Sequence, residues 1–184
     1  MRNLIYSMTL TLDGYIAPPQ GGPEWAAPTP ELHRFHNQEA SELGVHLLGR
    51  NLYEVMTYWE TAEEDPELPD HMAEFARIWK DLPKIVYSKT LDEVAGNTTL
   101  SQGDPVQEVA ALKQEDGKPL GVGGAQLAAT LTAAGLIDEY RLFMSPTVLG
   151  DGKPFFAGDT PVDLELAGTQ TFDTGVVLLR YRRT

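Results

Sequence analysis

The chain has no cysteine. Disulfides, thiolate metal ligands and cysteine nucleophiles are excluded at once. It also lacks any apolar run long enough to span a bilayer. Its start, Met1-Arg2-Asn3-Leu4-Ile5-Tyr6-Ser7-Met8, has no signal-peptide stretch. A cytoplasmic location without a membrane partner is the expectation. Positive charge is scarce: 14 Lys and Arg stand against 27 Asp and Glu, for a formal net charge of −13. That balance argues against nucleic acid or anionic membrane as a broad partner, while leaving room for a local basic pocket. With so few cations, each one beside a glycine turn carries weight. No Gly-x-Gly-x-x-Gly follows the first apolar stretch and no P-loop is present, which disfavours an ordinary Rossmann or P-loop site. There is no internal repeat, low-complexity run or linker. With 184 residues, 42% of them hydrophobic and 22% charged, the chain reads as one globular domain spanning 1–184.

Short apolar runs alternate with helical patterns. Leu4 to Leu10 reads as a strand, Thr11-Leu12-Asp13-Gly14 as a turn, and Tyr15-Ile16-Ala17 as a brief extended piece. Residues 18–30, rich in Pro and Gly and holding Trp25, form a long loop of the kind that serves as a lid. Thr29 and Pro30 open a helix as N-cap and first residue. Val45-His46-Leu47-Leu48 reads as a buried strand, with a helix from Asn51 to Tyr58. Residues 61–70 read as an acidic surface loop, and Asp70 to Lys80 as a helix with Met72, Phe75, Ala76 and Trp79 on one face. Strands follow at 83–88 and 98–100, then a helix from Asp104 to Glu115. Ile137 to Ser145 is a further strand, and Asp173-Thr174-Gly175 turns a closing hairpin. The order describes an α/β domain with a mostly parallel central sheet, antiparallel C-terminal edge strands and helices on both faces.

Open α/β sheets bind ligands beyond the carboxyl ends of their parallel strands. Three such ends stand out here. Leu48-Gly49-Arg50 brings glycine and a cation to a helix start. Tyr87-Ser88-Lys89-Thr90 offers hydroxyls around an ammonium. Gly123-Gly124 runs into Ala125-Gln126, the start of another helix. Helix N-termini with exposed backbone N–H groups attract anions, and a missing Cβ lets a phosphate approach. Taken alone, the glycine pair reads first as an ordinary tight turn. Together the three ends could hold a pyrophosphate on glycine N–H groups and a further phosphate on Arg50 and Lys89.

These stretches, with Ser7 to Ala17, Leu48 to Glu54, Ser88 to Leu91, Gly123 to Leu127, Ala134 to Glu139 and Pro146 to Phe156, resemble in order the dihydrofolate reductase superfamily. Within it they are most similar to the branch of bacterial riboflavin-biosynthesis reductase C-terminal domains and their stand-alone relatives. The resemblance implies a dihydrofolate-reductase-like three-layer fold, NADPH as hydride donor, and often a homodimer. It assigns Gly49 and Arg50 to the cofactor phosphates, Ser88 and Lys89 to the adenosine 2′-phosphate, and Gly123, Gly124, Ala125 and Gln126 to the pyrophosphate. The segment from Asp13 through Trp25 would be a flap over the nicotinamide. The chain departs from the branch at Leu52, where Thr is usual, and at Val122 and Tyr15, where riboflavin-pathway reductases commonly carry Glu and Lys. The acidic segment Glu60 to Asp65 would repel a folate glutamate tail.

The implied activity is hydride transfer to a C=N or C=O bond of a small pterin- or pyrimidine-like heterocycle. The alternatives are a riboflavin-pathway or dihydrofolate reductase proper, or a nucleotide-binding module that has lost its chemistry. Asp13, Glu31 or an ordered water would supply the proton; Asp13 is equally a turn former. Trp25 and Tyr53 are expected at the substrate pocket, Trp25 stacking on a ligand or anchoring its loop. His33, His36 and Glu39, at helical spacing, read as solvated polar residues rather than a metal site.

Overall fold

The apolar runs of the sequence, the brief piece Tyr15–Ala17 apart, become strands of one eight-stranded sheet, and the helical patterns form crossovers between them. The structure, a computed structural model, describes residues 1–22 and 24–184. Pro23, inside the expected flap, lies outside the described residues. The strands are β1 (Leu4–Thr11), β2 (Tyr15–Ala17), β3 (Val45–Gly49), β4 (Lys84–Tyr87), β5 (Thr98–Ser101), β6 (Leu120–Gly123), β7 (Glu139–Ser145), β8 (Lys153–Pro154), β9 (Leu164–Thr171) and β10 (Val177–Arg183). The helices are α1 (Pro30–Glu42), α2 (Arg50–Met56), α3 (Tyr58–Thr61), α4 (Asp70–Asp81), α5 (Pro105–Gln114) and α6 (Ala125–Ala133). Short 3-10 turns at Glu24–Ala26 and Ala62–Glu64 interrupt what the sequence presents as open loops.

The sheet runs β5-β4-β3-β6-β1-β7-β10-β9. Its first six strands are mutually parallel, and β10 and β9 close the edge antiparallel. β2 and β8 form a separate antiparallel pair beyond it. Capping follows the sequence signals. The Thr29 hydroxyl accepts from the Leu32 N–H, and the Asp104 carboxylate accepts from the Val106 N–H, each with proline in the first turn.

Side chains alternate between the faces of a sheet, so register sorts them. Leu4, Tyr6 and Leu10 of β1 join Leu120 and Val122 of β6, Leu47 of β3 and Tyr140 and Leu142 of β7 in one continuous apolar cluster. Helices α5 and α6 cover that face through Val109, Leu127 and Leu131. The opposite face is different. There the core is split in two. Leu32 of α1 packs on Phe143 and Leu178, whereas Tyr53 of α2 and Trp79 of α4 pack on Leu48 and Val86. Between these clusters lies the middle of the sheet, where register aligns Ser7 with Arg141, and His46 with Gly121.

Candidate active site

The three glycine- or hydroxyl-bearing strand ends belong to adjacent strands, β4, β3 and β6. Strand β3 is followed by α2, whose Tyr53 packs on the divided face; β6 is followed by α6, whose Leu127 packs on the other. Neighbouring strands whose helices leave to opposite faces open a crevice between their carboxyl ends, the usual ligand position in such sheets. Gly49 is the N-cap of α2 and Gly124 that of α6. The two residues lie close together. A Cβ added to Gly124 would stand 3.6 Å from the Gly49 backbone nitrogen and 3.7 Å from its Cα. Gly124 has φ +97°, in the region that side chains avoid. Two helix N-termini, both bare of side chains, thus share one spot, with their N–H groups and dipoles favouring an anion.

The third end is tied to the first. The Arg50 guanidinium donates to the Thr90 hydroxyl at 2.6 Å and to Glu54 at 2.7 Å. The Ser88 hydroxyl accepts from the Thr90 and Leu91 N–H groups at 3.2 and 3.1 Å, fixing the turn that presents the exposed Lys89. Gln126 is exposed on the first turn of α6, and Ala125 is buried beneath it. Leu52 packs its side chain over Gly123, where a methyl group would overlap Leu52 Cδ2. The sequence offers Thr90 as a hydroxyl at this strand end, but not its contact with Arg50, which spans 40 residues.

The remaining expected site residues sit elsewhere. Asp13 bridges two loops at the carboxyl ends of β1 and β7. Its carboxylate accepts from the Thr11 hydroxyl at 2.5 Å, from the Gly150 N–H at 2.7 Å and from the Leu149 N–H at 3.2 Å. These bonds, the Thr11 hydroxyl foremost, hold its pKa below the ordinary carboxylate value. Glu31 accepts from the Asp173 N–H in the β9–β10 turn at 3.1 Å. Tyr53 is core, and its hydroxyl accepts from the Ala95 N–H at 2.8 Å. Trp25 is half-buried, and its indole N–H is enclosed without a hydrogen-bond partner among the described residues. His33 corrects the reading as a solvated residue. It is buried between α1 and α4, its Nδ1 3.0 Å from Asn37 Oδ1 and its ring edge-on to His71.

Behind the cradle, on the divided face, lies a cavity of about 140 Å³. Ser7, His36, Glu39, His46 and Arg141 give it polar walls; Leu43, Phe75 and Trp79 give it apolar ones. Arg141 donates to Glu139 at 2.6 Å and to Glu39 at 2.7 Å. Burial, with Lys84 as a second cause, pushes His46 down to about 4, so its imidazole is neutral at neutral pH. Sequence reasoning did not pick out this cavity. Its signal was a histidine and an arginine each set inside an apolar strand, His46 in Val-His-Leu-Leu and Arg141 in Tyr-Arg-Leu-Phe.

The chain is similar to several known proteins. The family model described as the RibD C-terminal domain matches residues 2–178. The uncharacterized protein YyaP of Bacillus subtilis (strain 168) is 31% identical over 182 residues, which are 98% of this chain and 94% of that protein. A solved structure of a putative riboflavin biosynthesis protein from Shewanella sp. PV-4 superposes with TM-score 0.74 at 22% identity, over 100% of this chain and 99% of that one. A diaminohydroxyphosphoribosylaminopyrimidine deaminase/5-amino-6-(5-phosphoribosylamino)uracil reductase of Thermotoga maritima gives 0.67 at 17% identity; all of this chain spans 57% of that longer one. Dihydrofolate reductase of Enterococcus faecalis, solved with NADP(H) and RAB-propyl, gives 0.63 at 19% identity, covering 99% of this chain and 96% of that one.

Proposed function

The chain belongs to the RibD C-terminal domain family, and on that footing we propose that it is an NADPH-dependent reductase of a small pterin- or pyrimidine-like heterocycle. The observation that carries the reading is the close approach of Gly49 and Gly124, the N-caps of two helices at the sheet's crevice. A Cβ on Gly124 would fill that spot and its φ disfavours one, so the cradle fits a pyrophosphate.

Gly49, Gly123, Gly124, Ala125 and Gln126 would hold the pyrophosphate through backbone N–H groups. Arg50, Ser88 and Lys89 would receive the 2′-phosphate, Arg50 keeping donors beyond those given to Glu54 and Thr90. When bound, the nicotinamide supplies the hydride. The chain's own part is to set the acceptor beside the crevice and exclude water. Asp13 holds the loop after β1 against the loop after β7, which sets the expected flap. A homodimer is proposed from the family resemblance, and light scattering would test it.

A second reading, a nucleotide-binding module without turnover, is favoured by one observation. Asp13 and Glu31, the two expected proton donors, are both engaged with backbone N–H groups. Tryptophan quenching by NADPH and by NADH, followed by NADPH oxidation with dihydrofolate, the ribosylaminouracil phosphate and unphosphorylated pterins, separates the readings. Preferential NADPH binding with oxidation supports the reductase. Binding without oxidation of any acceptor supports the module. Binding of neither nucleotide overturns both.

A further inference from the structure

A row of residues crosses the divided face from strand to strand. Ser7 of β1 aligns with Arg141 of β7, Arg141 with Arg180 of β10, and Arg180 with Gly168 of β9. Cross-strand neighbours share a face, so two guanidinium side chains rise beside each other. Like charges placed opposite repel, and the carboxylates nearby do not relieve both. Glu39 of α1 accepts from Arg141 Nη1 at 2.7 Å, and Glu139 accepts from Arg141 Nε at 2.6 Å. Arg182, the next residue of β10 on this face, lies opposite Glu139 and Glu165. Arg180 lies between an arginine and a glycine instead. Among the described residues it has no ion-pair partner, and its enclosed Nε has no hydrogen-bond acceptor.

An N–H closed off from water and left without an acceptor is costly, the more so on a cation. The strand pairing leaves room for an acceptor to arrive. β9 carries an irregularity here, its paired residues stepping from Gly168 to Leu166 between Arg180 and Tyr181. A Cβ built on Gly168 meets nothing within 4 Å. The position across from Arg180 is therefore open. Arg141 also keeps N–H groups beyond the two given to Glu39 and Glu139. A carboxylate presents its oxygens in one plane. A phosphate presents them in several directions and with more charge, which suits guanidinium groups on two strands. The row lies on the far side of β1 from β3, β4 and β6, whose carboxyl ends form the cofactor crevice.

We propose that Arg180 and Arg141 form a second anion site, separate from the cofactor cradle, that takes a phosphate group with Gly168 as its open side. The proposal does not depend on the reductase reading. The probe is inorganic phosphate, added without nucleotide at an ionic strength held constant with sodium chloride. The Arg180 Nε–H resonance in a ¹H–¹⁵N spectrum, assigned by its loss in Arg180→Gln, reports the contact itself. The Gly168 amide reports the space beside it. The Gly124 amide reports phosphate in the cradle, so the two sites are read separately.

In the wild-type protein, millimolar phosphate should shift the Arg180 Nε–H and the Gly168 amide saturably, and acetate should bind at least about tenfold more weakly. Arg180→Gln should weaken phosphate at the Gly168 amide by about tenfold or more, the loss of one charged contact. Gly168→Glu sets a carboxylate across from Arg180 in the open space. It should raise the urea midpoint and abolish the phosphate response of the Arg180 Nε–H. Shifts that sodium chloride reproduces overturn the proposal, as does acetate binding as tightly as phosphate. So does an unchanged phosphate affinity in a folded Arg180→Gln, or a phosphate response that survives in Gly168→Glu. An Arg180 resonance that moves with protein concentration and not with phosphate also overturns it, and assigns Arg180 to a second copy of the chain.

Discussion

Gly124 does two jobs that no other residue type can combine. Its φ of +97° disfavours any side chain, and its bare Cα leaves room against Gly49. Gly124→Ala should cost roughly 1–2 kcal/mol of stability from backbone strain. NADPH affinity should fall further than that loss explains, because the methyl group occupies the anion's approach. Urea unfolding and calorimetric titration on the same variant separate the two effects. Lys89 is the complementary case. It is exposed on a turn fixed by Ser88, so removing it should leave stability unchanged. Lys89→Ala should weaken NADPH by about tenfold or more, the worth of a charge-assisted contact, with little effect on NADH. Equal losses for both nucleotides would contradict its role at the 2′-phosphate. Leu52 and Val122, two of the three departures from the family pattern, are both apolar packing residues here. Leu52 lies over Gly123, and Val122 sits in the main core.

Among the elements, the loops after β1 and β7 depend on each other through a single carboxylate. Asp13→Asn can still offer one oxygen, but it loses the charge that holds the Leu149 and Gly150 N–H groups together with the Thr11 hydroxyl. Faster hydrogen exchange at Leu149 and Gly150, with the sheet amides unaffected, is the expected result. No change there would mean that the contact adds nothing to loop order. This element also shows where sequence reading stops. The caps Thr29 and Asp104, the closing hairpin and the strand-end glycines are local signals, and each is visible within a few residues. The Asp13 clamp joins residues 136 and 137 positions apart, and the Glu39–Arg141 pair spans 102. Such partners are set by strand order and register, which no local pattern encodes. His33 misled for a similar reason, since its helical spacing with His36 gave no sign that α4 would cover it.

For the whole molecule, acid should act through its enclosed histidines. His46 has a folded pKa of about 4 against the ordinary 6.5. As pH falls below 6.5, the unfolded chain takes a proton that the folded chain refuses until about 4, so stability declines across that window. His33, lowered chiefly by burial, acts in the same direction. Urea midpoints measured from pH 7 to pH 4 should therefore fall, and His46→Gln should flatten the decline. An identical profile in the variant would show that His46 does not titrate differently on folding.

Strand β6 occupies the slot between β3 and β1, although it comes after β5 in the chain. Both the anion cradle and the cavity border it. During synthesis, therefore, a nascent chain ending before residue 120 already carries Gly49, Lys89, Ser7 and Glu39 but has neither site, because the strand that joins them has not been made. Ligand can select only chains that have closed this central gap. Any molecule that binds here is thus a proofreader of completed assembly rather than a template for its early steps.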